Sequence, residues 1–253
     1  MPAPLPIATL SLFRFGRWRD RAWAFGQMAL ARRPLARTEG IGFHKLMGAG
    51  TGEGFTPLPD AVVAILATWP DLGRARAALE EAPVFRRFGD RAVERFDLHL
   101  ETLSARGLWS RTTPFAPAGG EPEPVASPPA DPPAGPVAAI TRATVRPRKL
   151  LKFWARVPAI SARIGADRSV LFKAGVGEVP WLHQVTVSVW PDAASMHAFA
   201  RAGGPHAEAI RAVRAEDWFA EELYARFAVR GHAGRWQGHD PLAALASARL
   251  AAE

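Results

Sequence analysis

The chain of 253 residues contains no cysteine. That absence removes disulfides, thiolate metal sites, iron–sulfur ligation and a thiolate-bound haem, so any metal or haem iron must take its donors from His, carboxylate, Tyr or Met. No run of eighteen apolar residues occurs, and the opening MPAPLPIATLSLFRFGRWRDR lacks a basic segment followed by an apolar one. A cytoplasmic location is therefore expected. G-x-G-x-x-G, G-K-[ST] and H-E-x-x-H are also missing, so the glycine-rich LMGAGTGEGF (46–55) reads as a flexible hairpin loop, not a nucleotide cradle. What remains is a chain that is 48% hydrophobic, with seven histidines and a net charge of +8. Such a chain buries one large core or two small ones. Its charge favours an acidic protein or an anionic membrane surface as partner, and no nucleic-acid partner is expected because no recognised motif accompanies the charge.

The sequence reads as a duplicated half. Residues 111–136 are dominated by Pro, Ala and Gly without apolar periodicity, the composition of a semi-rigid linker. On either side, AVVAILATWPD (61–71) answers LHQVTVSVWPD (182–192), each an apolar strand closed by Trp-Pro-Asp. LMGAGTGEGF answers LFKAGVGEVPW, with Glu53 and Glu178 at matching positions, which favours a structural or rim role for both. Each half then follows the order β-α-β-β-α-β, the ferredoxin-like split βαβ unit. The expected fold is α+β: tandem ferredoxin-like halves, 1–110 and 137–240, packed sheet to sheet as an intrachain dimeric α+β barrel, with a tail from 241 to 253.

In a duplicated fold, features common to both copies are read as architecture, and function is sought in what one copy lacks. Trp69, Asp71, Trp190 and Asp192 occur in both, where Pro stops the strand and Asp can cap the next helix. His206, in RAGGPHAEAIRAV (201–213), does not. It lies sixteen residues past Trp190, and the same count from Trp69 reaches Phe85, or Val84 if the extra glycine is allowed for. A neutral imidazole on a helix facing a cleft suits the fifth position of haem iron, although an exposed first-turn histidine would serve equally as a local hydrogen-bonding group. His183 shares a strand face with Val185, Val187 and Val189 and is either a core histidine or a second candidate ligand. His197 is expected on a solvent face. Arg201, Arg211, Arg214 and Lys173 lie near enough in sequence or fold to hold carboxylates such as haem propionates.

The stretches TLSLFRF (9–15), WAFGQMALARRPLAR (23–37), GAGTGEGFTPLPD (48–60), VAILATWPD (63–71), GEVPWLHQVTVSVWPD (177–192) and GPHAEAIRAVRAEDWFAEELYARFAV (204–229) resemble the spheroidene monooxygenase family of purple phototrophic bacteria. The likeness runs from about residue 7 to residue 229, apart from the linker. It implies an oxygenase that uses haem b, O2 and reduced ferredoxin to place a keto group at C2 of spheroidene or related acyclic carotenoids, by successive hydroxylations and loss of water. It also implies a protein that can approach the inner or photosynthetic membrane peripherally. His44 stands where the family is commonly aromatic, which argues against it as a ligand. Haem proteins of the same barrel type carry a ligand histidine on the helix corresponding to that of His206. A long apolar substrate needs an apolar slot, for which Phe13, Phe15, Trp23, Phe25, Phe43, Trp181 and Phe199 are candidates, though a core would use the same side chains. A cofactor-free oxygenase on the same barrel and a non-catalytic haem or apolar-ligand binder stay open as alternatives.

Overall fold

The computed structural model describes residues 5–51, 56, 59–116, 134–157, 167, 169–179, 181–201 and 216–243. In the first run, β1 (Ile7–Arg14) is followed by α1 (Trp18–Leu30), α2 (Arg32–Ala36), β2 (His44–Gly50), β3 (Pro59–Trp69), α3 (Leu72–Glu81), α4 (Pro83–Gly89) and β4 (Glu94–Gly107). The second has β5 (Val137–Val145), the helical residues 150–157 (α5), β6 (Phe172–Gly177), β7 (His183–Trp190), α6 (Ala193–Arg201) and β8 (Phe219–Gly234). All strand pairs are antiparallel and close into one barrel in the order β1-β3-β2-β6-β7-β5-β8-β4. The seam between β4 and β8 is long, from Phe96 against Gly234 to Gly107 against Leu223, whereas β2 and β6 meet only at Gly48 and Gly177.

Period-two alternation decides which side chains face inward. In β1, Ala8, Leu10 and Leu12 enter the barrel, joining Leu98, Ile140, Val187 and Phe227 from strands of both runs in one core. The barrel therefore has one shared interior, not two small ones. Outside it, α1 to α4 press on the other face of β1 and β3, burying Phe13, Phe15, Ile65, Trp69, Phe85 and Phe88 in a second cluster. Each such ring removes enough apolar surface from water to stabilise the fold by about 2–3 kcal/mol.

The Trp-Pro-Asp corners behave as helix starts. The Asp71 carboxylate accepts the Arg74 amide at 2.8 Å, and Asp192 accepts that of Ser195 at 2.7 Å. Each satisfies an orphan donor in a first turn. Trp69 and Trp190 are both buried, the first donating its indole N–H to Thr9 at 2.9 Å.

Both long strands end alike. Gly107 and Gly234 have φ near +90° (89° and 90°), and a Cβ at either would lie 2.2 Å from the Glu222 carbonyl oxygen or 2.1 Å from that of Arg95. Only glycine fits there. Each is followed by a short bridge, Trp109 to Thr112 and Trp236 to His239, that turns the chain over a barrel end. Phe115 and Leu242, equally spaced beyond, are fully buried in the barrel core. The linker composition beginning at 111 thus misjudges its first residues, since Phe115 stacks edge-on to Phe227 at 4.9 Å. The supposed tail from 241 likewise begins inside packed structure. Gly48 and Gly50 belong to β2 and are not loop residues, because β3 pairs with them.

Candidate functional site

The outer faces of the two strand runs differ in what they offer a helix or a ligand. Reading across β2, β3, β1 and β4, the registers align Leu46, Ile65, Ser11 and Asp97 in one row and Gly48, Val63, Phe13 and Arg95 in the next. Across β6, β7, β5 and β8, the corresponding rows, counted from Trp69 and Trp190, are Gly175, Thr186, Thr141 and Tyr224, then Gly177, Gln184, Ala143 and Glu222. Gly175 stands where Leu46 stands, Thr186 where Ile65 does, and Ala143 where Phe13 does. On the first face Leu46, Ile65, Val63 and Phe13 form an apolar patch that helices cover. The second carries small or hydroxyl-bearing residues, Gly175, Thr186, Thr141 and Ala143, beside Gln184, Tyr224 and Glu222, and Thr141 is exposed while Ala139, Ala143, Thr186 and Ser188 are half-buried.

Among the described residues, α6 is the helix that packs on this second face at its Trp190 end. Val137, Trp190, Ala193 and Met196 form its small core, and Phe199 lies 5.0 Å from the Trp190 ring. His197 is not on a solvent face as expected. It is half-buried, and its Nε2 accepts from Arg226 Nη1 of β8 at 3.1 Å. Burial, then the neighbouring Arg226 and Arg201, lowers its pKa, so the ring is a neutral acceptor with that nitrogen already engaged. Arg226 and Lys173 flank Ser188 and Ala139 in a single row of the face.

His183 points the other way, into one mouth of the barrel. There Arg142, only 3% exposed, meets Glu221 and lies 3.7 Å from Glu178. Glu178 also accepts from Lys45 at 2.7 Å and from the Trp109 indole at 2.6 Å. Glu221 holds the Ser110 and Arg111 amides. Burial above all, then Arg142, lowers the His183 pKa, and among the described residues its buried Nδ1 has no hydrogen-bond partner. Glu178 is thus one centre of an ion network that seals the mouth.

The other candidates divide among separate places. His206, Arg211 and Arg214 lie outside the described residues, as does Glu53. Phe13 and Phe15 are fully buried around Phe88 with half-buried Trp23, in the filled outer cluster. Phe43 stacks on Trp109 at the barrel mouth, Phe199 lies on the second face, and Trp181 and Phe25 are exposed. They do not line one slot. A cavity of about 670 Å³ beside α1 is bordered by Arg17, Asp20, Arg87, Asp90 and Arg91, with Arg91 paired to Asp20 at 3.2 Å, a rim too charged for an apolar chain. Among the described residues no group of three His, Asp or Glu side chains could hold a bare metal ion.

Sequence reading passed over Arg142, Tyr224 and Arg226. The signal for Arg142 was a charge at an inward position of AAITRATV. For the other two it was a comparison of outward positions between the two strand runs, which needs the strand register.

No protein-family model matches the chain. It is 49% identical over 240 residues to a spheroidene monooxygenase of Rhodobacter capsulatus, covering 94% of this chain and 96% of that one. It is also 32% identical over 219 residues to a spheroidene monooxygenase of Rubrivivax gelatinosus, covering 86% and 80%. Among solved structures, an aldoxime dehydratase crystallised with butyraldoxime superposes with a TM-score of 0.57 at 12% identity, over 90% of this chain and 80% of that one. That likeness is one of fold.

Proposed function

Because the chain belongs to the spheroidene monooxygenase family, we propose that it is a carotenoid monooxygenase whose site lies on the outer face of β5 to β8. The finer reading is a haem-dependent enzyme that hydroxylates C2 of spheroidene, or of a related acyclic carotenoid, twice with O2. Loss of water from the resulting diol leaves the ketone. Each hydroxylation sends one oxygen atom to carbon and the other to water, and reduced ferredoxin supplies the electrons. We read the two strand runs as tandem ferredoxin-like halves, of which the second carries the chemistry.

The identity of 49% along nearly the whole chain is the observation that carries the activity. The contrast between the outer faces supports the location. A haem would ask the chain for a donor side chain and for a floor low enough to admit a flat macrocycle. Gly175, Ala143, Thr141 and Thr186 fit that requirement, whereas Leu46, Phe13 and Ile65 on the first face do not. Arg226 and Lys173, with Arg211 and Arg214, are the cations suited to propionates. His206 is the residue that would hold the iron. Its counterpart by count, Phe85, is fully buried on α4 with its ring 6.2 Å from that of Trp69.

Bound there, haem would supply dioxygen activation. The chain's own part is to hold the carotenoid end against the floor, exclude water and stabilise propionate charge. Half-buried Phe199 on α6 offers apolar surface to the polyene.

Protein purified from a haem-replete host should carry a Soret band that His206→Ala abolishes and His183→Ala leaves in place. Turnover of spheroidene with reduced ferredoxin and O2 should fall with the band. Loss of the band only in His183→Ala would move the site to the barrel mouth, and a colourless but active wild type would end the haem reading.

A further inference from the structure

We propose that the solvent face of α1 docks the protein on an anionic lipid bilayer. At 100° per residue, Trp18, Ala22, Phe25 and Ala29 fall within roughly 60° of arc, and all four are exposed, Trp18 at 73% and Phe25 at 81%. Leu30, at the end of the helix, is 69% exposed beside them. The opposite face is already committed, with Ala24, Gln27 and Ala31 buried on the barrel. A helix that is apolar on both sides is ordinarily enclosed, so one left open needs a second apolar phase.

The charges choose the phase. Arg17, Arg19, Arg32, Arg33 and Arg37 are exposed around the stripe, and among the described residues none has a carboxylate within 4.0 Å. The acid on α1, Asp20, is held by Arg91, and Glu39 by Arg74. The Arg19 guanidinium lies 5.4 Å from the Trp18 ring, leaving an aromatic and a cation side by side at the tip, as side chains at a headgroup boundary are arranged. A second copy of the chain would bring these arginines against each other, and an acidic protein would meet the charge without using Trp18 and Phe25. By contrast, exposed Leu151 on α5 sits among cations already paired, Lys149 and Lys152 with Glu216. Among the described residues no helix is long and apolar enough to cross a membrane, so α1 would lie in the interface plane.

The surface stands on its own side chains, and its purpose, delivery of a membrane-dissolved polyene, rests on the carotenoid reading above. Flotation with phosphatidylcholine vesicles is compared with flotation on vesicles containing about one third phosphatidylglycerol. The full chain should bind the second kind preferentially and lose that binding in high salt. Trp18→Ser/Ala22→Glu, and separately Phe25→Ser, should each weaken it about tenfold or more, and Arg17→Gln/Arg33→Gln should erase the preference for anionic lipid. Trp18→Ser/Ala22→Glu should melt like wild type and turn over detergent-dispersed spheroidene normally. Equal binding by wild type and variants, no vesicle binding, or a dimer that these substitutions disperse without any vesicle binding would each overturn the proposal. Loss of binding to reduced ferredoxin in place of lipid would do so too. Vesicle binding by a chain that never oxidises a carotenoid would sink the enzymatic reading and leave the docking surface intact.

Discussion

Arg142 depends on the carboxylates around it. A guanidinium 3% exposed inside a barrel is tolerable only because Glu221 and Glu178 face it, and removing one member of such a set leaves the others charged and unpaired. Arg142→Met should therefore cost about 3 kcal/mol in urea unfolding, and Arg142→Met/Glu221→Gln should recover part of it. A cost near zero would mean that the network contributes nothing. His99 makes a different prediction, with a sign set by its surroundings. Burial above all lowers its pKa, outweighing the Asp97 carboxylate, while Asp97 itself is raised by burial. The unfolded chain takes up the histidine proton near its ordinary value of about 6.5, while the native state refuses it. Stability is therefore lost as pH falls below that value, by up to about 1.4 kcal/mol per pH unit. Asp97 acts oppositely, its unfavourable contribution being relieved on acidification. His99→Gln should flatten the fall in unfolding free energy between about pH 6.5 and 5.5. It should not abolish the fall, because His183 and His197 carry the same sign. An unchanged slope would show His99 to be hydrated in the native state.

At the scale of elements, what the sequence made legible was whatever is settled by neighbours in the chain. Trp-Pro-Asp announces a strand end and a capped helix, and Asp71 and Asp192 both make that cap. The alternation of LHQVTVSVW correctly groups His183 with Val185, Val187 and Val189. The barrel mouth was not legible, since Lys45, Trp109, Arg142, Glu178 and Glu221 come from different strands and turns that only ring closure assembles. The seven aromatics proposed for one slot failed as a group for the same reason: a ring's chemistry is identical in a core, at a mouth or in solvent. Gly107 was not legible as an obligatory glycine. Its φ of 89° and the Glu222 carbonyl 2.2 Å from a Cβ position are tertiary facts. Gly107→Ala should lower stability by about 2 kcal/mol or more, read as a drop in the urea midpoint at unchanged slope. The same substitution at Gly238, where a Cβ meets nothing within 4 Å, carries only the strain of its positive φ and should cost less.

For the whole molecule, the two outer faces form an internal control. One is packed with Leu46, Ile65 and Phe13, and the other carries Gly175, Thr186 and Ala143 at the corresponding registers. Positions left without a large apolar side chain forgo burial worth about 2 kcal/mol each, a sacrifice that a ligand spreading over them would offset. On the haem reading proposed above, Gly175→Leu, Thr186→Ile and Ala143→Phe, alone and combined, should keep the fold and raise or hold the melting temperature, while reducing haem incorporation and carotenoid turnover together. Phe13→Ala on the opposite face should do the reverse, costing about 3–5 kcal/mol of stability with the spectrum of the remaining folded protein unchanged. If the filled second face still bound haem and oxidised spheroidene at wild-type rates, the site would have to lie elsewhere. The barrel mouth around His183 would then be the next place to test.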